Sequence, residues 1–489
     1  MKICLVAEGS YPYISGGVSS WVQQLINSMP EHQFVIIAIN PDSTADTEIK
    51  YALPKNVLEV VDIYMDHLLL PTEHWNRRLP LSQEEVSLIG GLMKSEVEDW
   101  PGVFDVFSKL EEKGFNAEDI FSSKMFFHVI QDVYNKRYTH VSFMEMFWTM
   151  RSMYLMLFSL LLRKYPDADL YHSVSTGYAG ILAAYASHRN GCGFVLTEHG
   201  IYTREREEDI IKADWVKGDF KSIWIEFFGC LSSAAYAGAD RVVSLFNKNM
   251  EIQVDLGCDR NKIKVIPNGI RENDFEKVRR SIADRTDGRE INVGAVVRVV
   301  PIKDIKTMLQ AFAHVNKKLP GINFWIMGPT EEDEEYFEEC IAFKDSLKLD
   351  NVVFTGHVNL REYLGRMDLL VLTSISEGQP LAILEGMACS LPFVSTNVGD
   401  CEALVRGCYD DFGPAGKVAT VMDYEGIGEG IVALCRDFKL RRRLGENGYQ
   451  RIKNLYSAED FINGYKEIYL DLGERMANGR DRIRTQKSL

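Results

Sequence analysis

Two glutamates, Glu377 and Glu385, flank a seven-residue stretch that begins Gly378-Gln379-Pro380-Leu381. A carboxylate accepts from two neighbouring hydroxyls at once, so two of them bordering one space suit the vicinal diols of a ribose or a hexose. Arg298 and Lys303 could bracket two phosphate groups, Arg as a planar fork and Lys as a compact charge. Gly16-Gly17 lie just before a helical pattern, where backbone N–H groups make a seat for phosphate. His199, followed by Gly200, could contact a sugar hydroxyl or hold a backbone carbonyl near a reacting carbon. Each has a plainer reading. Two glutamates at this spacing also fit an exposed loop and an exposed helix face. An Arg/Lys pair is usually surface charge, a Gly pair is often a tight turn, and a lone His is more often a satisfied structural residue.

The surrounding elements decide how these residues can meet. Leu369 to Thr373 is a short apolar run of the kind that forms a strand buried on both faces of a parallel sheet. A polar loop, Ser374 to Gln379, follows, and Pro380 can then occupy the first position of a helix, where its missing N–H costs nothing. In open α/β sheets the crevice beyond the carboxyl ends of the strands binds ligands, which places Glu377 on the ligand side with Glu385 about a turn and a half into the helix. The same order of strand, loop and helix recurs. Lys2 to Ala7 precedes the loop Glu8 to Ser19, Gly193 to Thr197 precedes His199, and Ile291 to Val297 precedes Arg298 and Lys303. Gln33 to Asn40 reads as the second strand. The regular alternation then breaks, and residues of about 62–138 read as a helical insertion.

The chain of 489 residues is long enough for two or three domains. Its 46% apolar and 26% charged content is ordinary for a globular protein. A net charge of −15 argues against nucleic acid as a partner. The nine cysteines show neither a C-x-x-C pair nor metal spacing, which fits a reduced cytoplasmic thiol set. Met1-Lys2 runs directly into the first strand with no signal-peptide pattern. Phe143 to Leu162 has the length of a membrane span, but Glu145 and Arg151 are expensive in hydrocarbon, so it reads as a Met-rich core helix. Asp167-Ala168-Asp169 precedes its strand and reads as a solvated turn, and no metal is expected.

The string Glu377-Gly378-Gln379-Pro380-Leu381-Ala382-Ile383-Leu384-Glu385 resembles the E-x7-E element of retaining GT-B glycosyltransferases, particularly glycosyltransferase family 4. The R-x4-K spacing of Arg298 and Lys303 matches that family's pyrophosphate clamp, and Val265-Ile266-Pro267-Asn268-Gly269 resembles the segment joining its two halves. The resemblance implies donor-sugar contact by Glu377, with Gly378, Gln379, Pro380 and Leu381 in the donor loop, and ribose contact by Glu385. It further implies phosphate contact by Gly16, Gly17, Arg298 and Lys303, and base contact by the main chain near Gly356 and His357. His199 would lie beside the donor sugar. The implied fold is α/β with GT-B architecture: two Rossmann-like domains facing a central cleft, with a helical insertion in the first. The expected divisions are 1–270, 271–457, and a terminal helix 458–489 crossing back, its tail after Asn478 frayed.

Two longer strings narrow the resemblance. Glu8-Gly9-Ser10-Tyr11-Pro12-Tyr13 with Gly16 to Val22, and Thr197 to Arg206, look like the Pel exopolysaccharide glycosyltransferases. These imply a UDP-sugar donor, a polysaccharide acceptor and membrane-bound Pel synthesis and export partners. Arg204 and Arg206 either touch acceptor or phosphate or pair with neighbouring glutamates. The expected activity is therefore retaining, metal-independent hexosyl transfer without a cofactor, with UDP-glucose, UDP-N-acetylglucosamine and UDP-N-acetylgalactosamine all open as donors. A UDP-sugar epimerase of the same fold and a non-catalytic nucleotide-binding scaffold are the alternatives.

Overall fold

The computed structural model describes residues 1–41, 43, 48–66, 78–288 and 290–487. The chain forms two compact units, one of Met1–Val265 with Tyr465–Leu489 and one of Ile266–Gly464. Each is built on a wholly parallel sheet.

Among the described residues the first unit has seven strands: β1 (Lys2–Glu8), β2 (Gln33–Asn40), β3 (Val57–Tyr64), β4 (Leu170–Ser173), β5 (Gly193–Glu198), β6 (Arg241–Ser244) and β7 (Ile263–Val265). Their order in space is β3-β2-β1-β4-β5-β6-β7. Central strands such as β1 and β5 are buried along nearly their whole length, which is why they read as continuous apolar runs. The chain leaves β1 in one direction and returns at β4 on its other side. That reversal makes the β1/β4 junction a topological switch point.

Strand β3 escaped the sequence reading, and the expected insertion bounds are corrected accordingly. Residues 62–64 belong to β3, which pairs with β2 through Asp62 opposite Ala38 and Tyr64 opposite Asn40. Its Glu59 and Asp62 mask the strand pattern because β3 is an edge strand, where inserted charge blocks further pairing. Part of the expected insertion, 67–77, lies outside the described residues. The helical region runs beyond Tyr138, from Gln83 to Leu161. Capping boxes at Ser82/Glu85 and Asn116/Asp119 start two of its helices. Helix Phe143–Leu161 buries Met146, Met150, Met153, Leu157 and Leu161, a helical stripe facing the core. Its Arg151 pairs with Glu118 at 2.7 Å. Among the described residues no helix is long and apolar enough to cross a membrane.

Among the described residues the second unit has six strands: β8 (Asn292–Val296), β9 (Asn323–Met327), β10 (Val352–Gly356), β11 (Leu369–Leu372), β12 (Phe393–Thr396) and β13 (Gly416–Ala419). Their order is β10-β9-β8-β11-β12-β13. The same reversal therefore falls between β8 and β11. The chain enters this unit at Ile266, four residues before the expected end of the first domain. The terminal helix spans Ala458–Lys487, so the backbone stays helical past Asn478. From Tyr465 onward it belongs to the first unit, where the Tyr469 hydroxyl lies 2.6 Å from His172 Nδ1 and the Tyr465 hydroxyl 3.1 Å from Thr197 Oγ1.

Candidate active site

The switch point of the second unit brings together residues that are far apart in sequence. Lys303 lies in the loop after β8, and Glu377 in the loop after β11. Lys303 Nζ donates to Glu377 Oε1 at 2.5 Å, with the two side chains only 16% and 10% exposed. Ser374 Oγ donates to the same oxygen at 2.5 Å. The loops are also tied by main chain: Ile375 N–H donates to Ile302 O at 2.9 Å, and Thr373 Oγ1 to Lys303 O at 2.9 Å. Asp304, in a left-handed conformation, caps helix Ile305–Lys318 by accepting from Thr307 N–H. A cation and a carboxylate are thus held at the mouth of the crevice, shielded from the screening that weakens exposed pairs.

Arg298 does not join that pair. Its guanidinium donates to Glu332 at 2.6 Å, and its side chain is 42% exposed. Glu385, half-buried in helix Leu381–Ala388, touches neither cation; burial pushes its carboxyl up to about 7, with Arg361 pulling the other way. Gly356 ends β10 and the exposed His357 follows it, and Gly356 O accepts from Gly328 N–H at 3.2 Å. Gly378, Pro380 and Leu381 continue the Glu377 loop into its helix, with Pro380 at the N-cap.

Gln379 faces inward. Its Oε1 accepts from Asn268 N–H at 2.7 Å, its main-chain oxygen accepts from Asn268 Nδ2 at 3.1 Å, and its Nε2 donates to Asp400 Oδ2 at 2.7 Å. Both ends of the side chain are therefore committed within the protein, so it positions the Glu377 loop instead of presenting itself at the surface. Burial raises the Asp400 carboxyl to about 7, against the opposing effect of Gln379.

Sequence reading missed this support: Ser374, Asn268, Asp400 and Gly399. Gly399 is the clearest, with φ at +52° and an added Cβ falling 2.2 Å from Glu377 O and 2.3 Å from Gly378 O. The glycine after β12 was a visible signal. Gly399→Ala is expected to displace the Glu377 loop at a cost of about 1–3 kcal/mol, checked by urea unfolding and by loss of nucleotide binding.

Gly16, Gly17 and His199 belong to the first unit. Gly16 caps helix Gly17–Asn27 in extended conformation, and neither glycine has an atom within 4 Å of an added Cβ. His199 Nε2 is buried without a partner, and the ring meets the edge of Trp21 at 4.7 Å. Burial lowers its pKa to about 4, so it is neutral near pH 7. Asp169 of the D-x-D string accepts from Lys2 N–H at 2.9 Å and closes the start of β1.

Two doubly wound parallel sheets, one carrying a buried Lys–Glu pair at its switch point, give the chain the two-domain fold of its GT-B structural neighbours. The chain belongs to the family described as Domain of unknown function (DUF3492), which matches residues 1–261, and carries a Glycosyl transferases group 1 domain over residues 290–437. It is 27% identical over 333 residues to the UDP-Gal:alpha-D-GlcNAc-diphosphoundecaprenol alpha-1,3-galactosyltransferase of Escherichia coli, covering 65% of this chain and 78% of that one. It is 27% identical over 181 residues to the N-acetyl-alpha-D-glucosaminyl L-malate synthase of Bacillus anthracis, covering 37% of this chain and 45% of that enzyme. The crystal structure of Anabaena Alr3699/HepE in complex with UDP aligns with a TM-score of 0.60 at 16% identity, covering 96% of this chain and 100% of that one.

Proposed function

We propose that this protein is a retaining, metal-independent hexosyltransferase of glycosyltransferase family 4, moving a sugar from a UDP-sugar to a growing exopolysaccharide. The strings at Glu8 to Val22 and Thr197 to Arg206 resemble PelF, and the partners this resemblance implies are membrane-bound Pel synthesis and export proteins. The observation that carries the reading is the Lys303–Glu377 pair at the β8/β11 switch point. The relatives' own activities, among them galactosyl transfer from UDP-Gal, support it.

The demanding step is departure of the nucleotide diphosphate, which gathers negative charge. Lys303, with Arg298 swung from Glu332, supplies positive potential there, and preorganised charge of this kind is typically the largest catalytic term. The helix N-terminus that opens at Ile305 adds to it. Glu377, released from Lys303 as phosphate takes its place, accepts from sugar hydroxyls. Glu385 accepts from the ribose diol.

A thermal-shift series with UDP, ADP and GDP sugars tests the donor, since a specific ligand stabilises the folded state by mass action. Release of UDP from a UDP-sugar that rises with added acceptor supports transfer. Acceptor-independent epimerisation, or nucleotide binding with no turnover, would replace it with an epimerase or a scaffold.

Glu385 adds a pH signature. Because its folded pKa is raised to about 7, this group stabilises the protein on acidification below 7 and loses that contribution as pH rises through 7. A ribose diol favours the ionised form, so the UDP affinity is expected to increase through that window with proton release. Calorimetry in two buffers of different ionisation enthalpy measures the release, and Glu385→Gln should abolish it.

A further inference from the structure

Arg298 and Lys303, the two cations assigned above to the donor diphosphate, each hold a carboxylate of the protein. Glu377 on Lys303 has a use of its own in that reading, with the sugar. Glu332 on Arg298 has none. It lies in the loop after β9, beside the loop after β8 that carries Arg298, and the two loops are tied by main chain. Val297 N–H donates to Met327 O at 3.0 Å, and Val299 N–H to Pro329 O at 2.9 Å. Gly328, with φ at +149°, lets them come this close, since an added Cβ would fall 2.0 Å from Val297 O. Arg298 Nη1 then donates to Glu332 Oε2 at 2.6 Å. The carboxylates on either side have other partners. Glu331 Oε2 accepts from Thr330 N–H at 2.7 Å, and Asp333 Oδ1 accepts from Tyr336 N–H at 2.9 Å.

We propose that Glu332 is an internal competitor of the donor diphosphate, holding Arg298 until a nucleotide displaces it. The assignment rests on the reading above that Arg298 contacts phosphate. A guanidinium presents its donors in one planar fork that suits a carboxylate or a phosphate, so the two anions compete for the same hydrogen bonds. Nucleotide affinity then falls with the fraction of Arg298 that is already paired. The two side chains are 42% and 32% exposed, and pairs so open to water are weak. Glu332 therefore lowers affinity severalfold without closing the site, and by retaking Arg298 it favours release of UDP. It is a positioning residue, acting on the nucleotide only through Arg298.

The test titrates UDP by calorimetry into the full chain as wild type, Glu332→Gln, Glu331→Gln, Arg298→Ala and the Arg298→Ala/Glu332→Gln double variant. The expected result is UDP binding about two- to fivefold tighter in Glu332→Gln than in wild type. Loss of a merely structural contact would not tighten binding. Glu331→Gln removes the same charge one residue away without freeing Arg298, so its UDP affinity should match wild type. In the Arg298→Ala background the Glu332 substitution should add nothing. Glu332 is exposed and glutamine has its size, so the variant should keep the wild-type thermal midpoint. UDP affinity that holds or falls in Glu332→Gln, an equal gain in Glu331→Gln, or a gain that survives Arg298→Ala overturns the competition and leaves the transferase reading intact. Wild type that neither binds UDP nor turns over UDP-sugars overturns that reading and the competition with it.

Discussion

Replacing Lys303 by alanine is expected to lower sugar transfer by about a hundredfold or more, with some loss of stability as well, because Glu377 stays largely buried. Lys303 Nζ is the cation nearest the Glu377 carboxylate, and the pair is largely shielded from water. In the proposed reaction, removing it would take away charge where the leaving diphosphate forms and leave Glu377 to repel that same group. The loss should therefore fall on kcat as well as on donor affinity. Glu377 keeps Ser374 as a donor, which limits the structural penalty. Continuous detection of released UDP measures the effect. Arg298→Ala should cost less, because its guanidinium is more exposed and is already shared with Glu332. Equal losses in the two variants would show that the two cations act as one clamp, and an unimpaired Lys303→Ala enzyme would remove the basis of the proposed chemistry.

Arg451→Met is expected to destabilise the second unit by about 3–5 kcal/mol, the largest stability effect of any single substitution considered. Arg451 is fully buried. Its Nε and Nη2 donate to the two Asp410 oxygens at 2.6 and 3.0 Å, and Nη1 and Nη2 donate to Leu404 O and Gly413 O at 2.7 and 2.5 Å. Truncation strands a carboxylate and two carbonyl groups together. Burial alone would raise the Asp410 pKa, but hydrogen bonds from Arg451 and from Phe412 N–H reverse that, and the net shift is downward. Such a group contributes stability above its unfolded pKa and loses it as pH falls through the folded one. Urea unfolding between neutral pH and the acid range should show wild type losing this contribution on acidification and Arg451→Met lacking it throughout.

Some of this was legible in the sequence for local reasons. A parallel strand covered on both faces needs an unbroken apolar run, so β1, β2, β5 and β11 stand out, as do the loops that follow them. Loop position and side-chain chemistry made Lys303 and Glu377 candidates, and the family resemblance of their strings singled them out. Strand β3 was hidden because an edge strand carries charges that break the pattern. Gln379 was expected in the donor loop from the family resemblance, and nothing nearby in sequence reveals Asn268 or Asp400 as its partners. Arg451 drew no notice, since an arginine in a charged helix reads as surface until its carboxylate is located 41 residues away.

The sequence by itself determined which segments become strands and helices, and hence which polar residues sit in loops at strand ends. Those depend on periodicity and capping, interactions that span a few residues. Only the tertiary structure decided the order in which the strands lie side by side. That order places β8 against β11 and β1 against β4, making Lys303 a neighbour of Glu377 and joining Glu8 to Ala179 and Tyr202. Pairing between strands that are distant in the chain is settled by the simultaneous burial of both sheet faces, which no local stretch encodes.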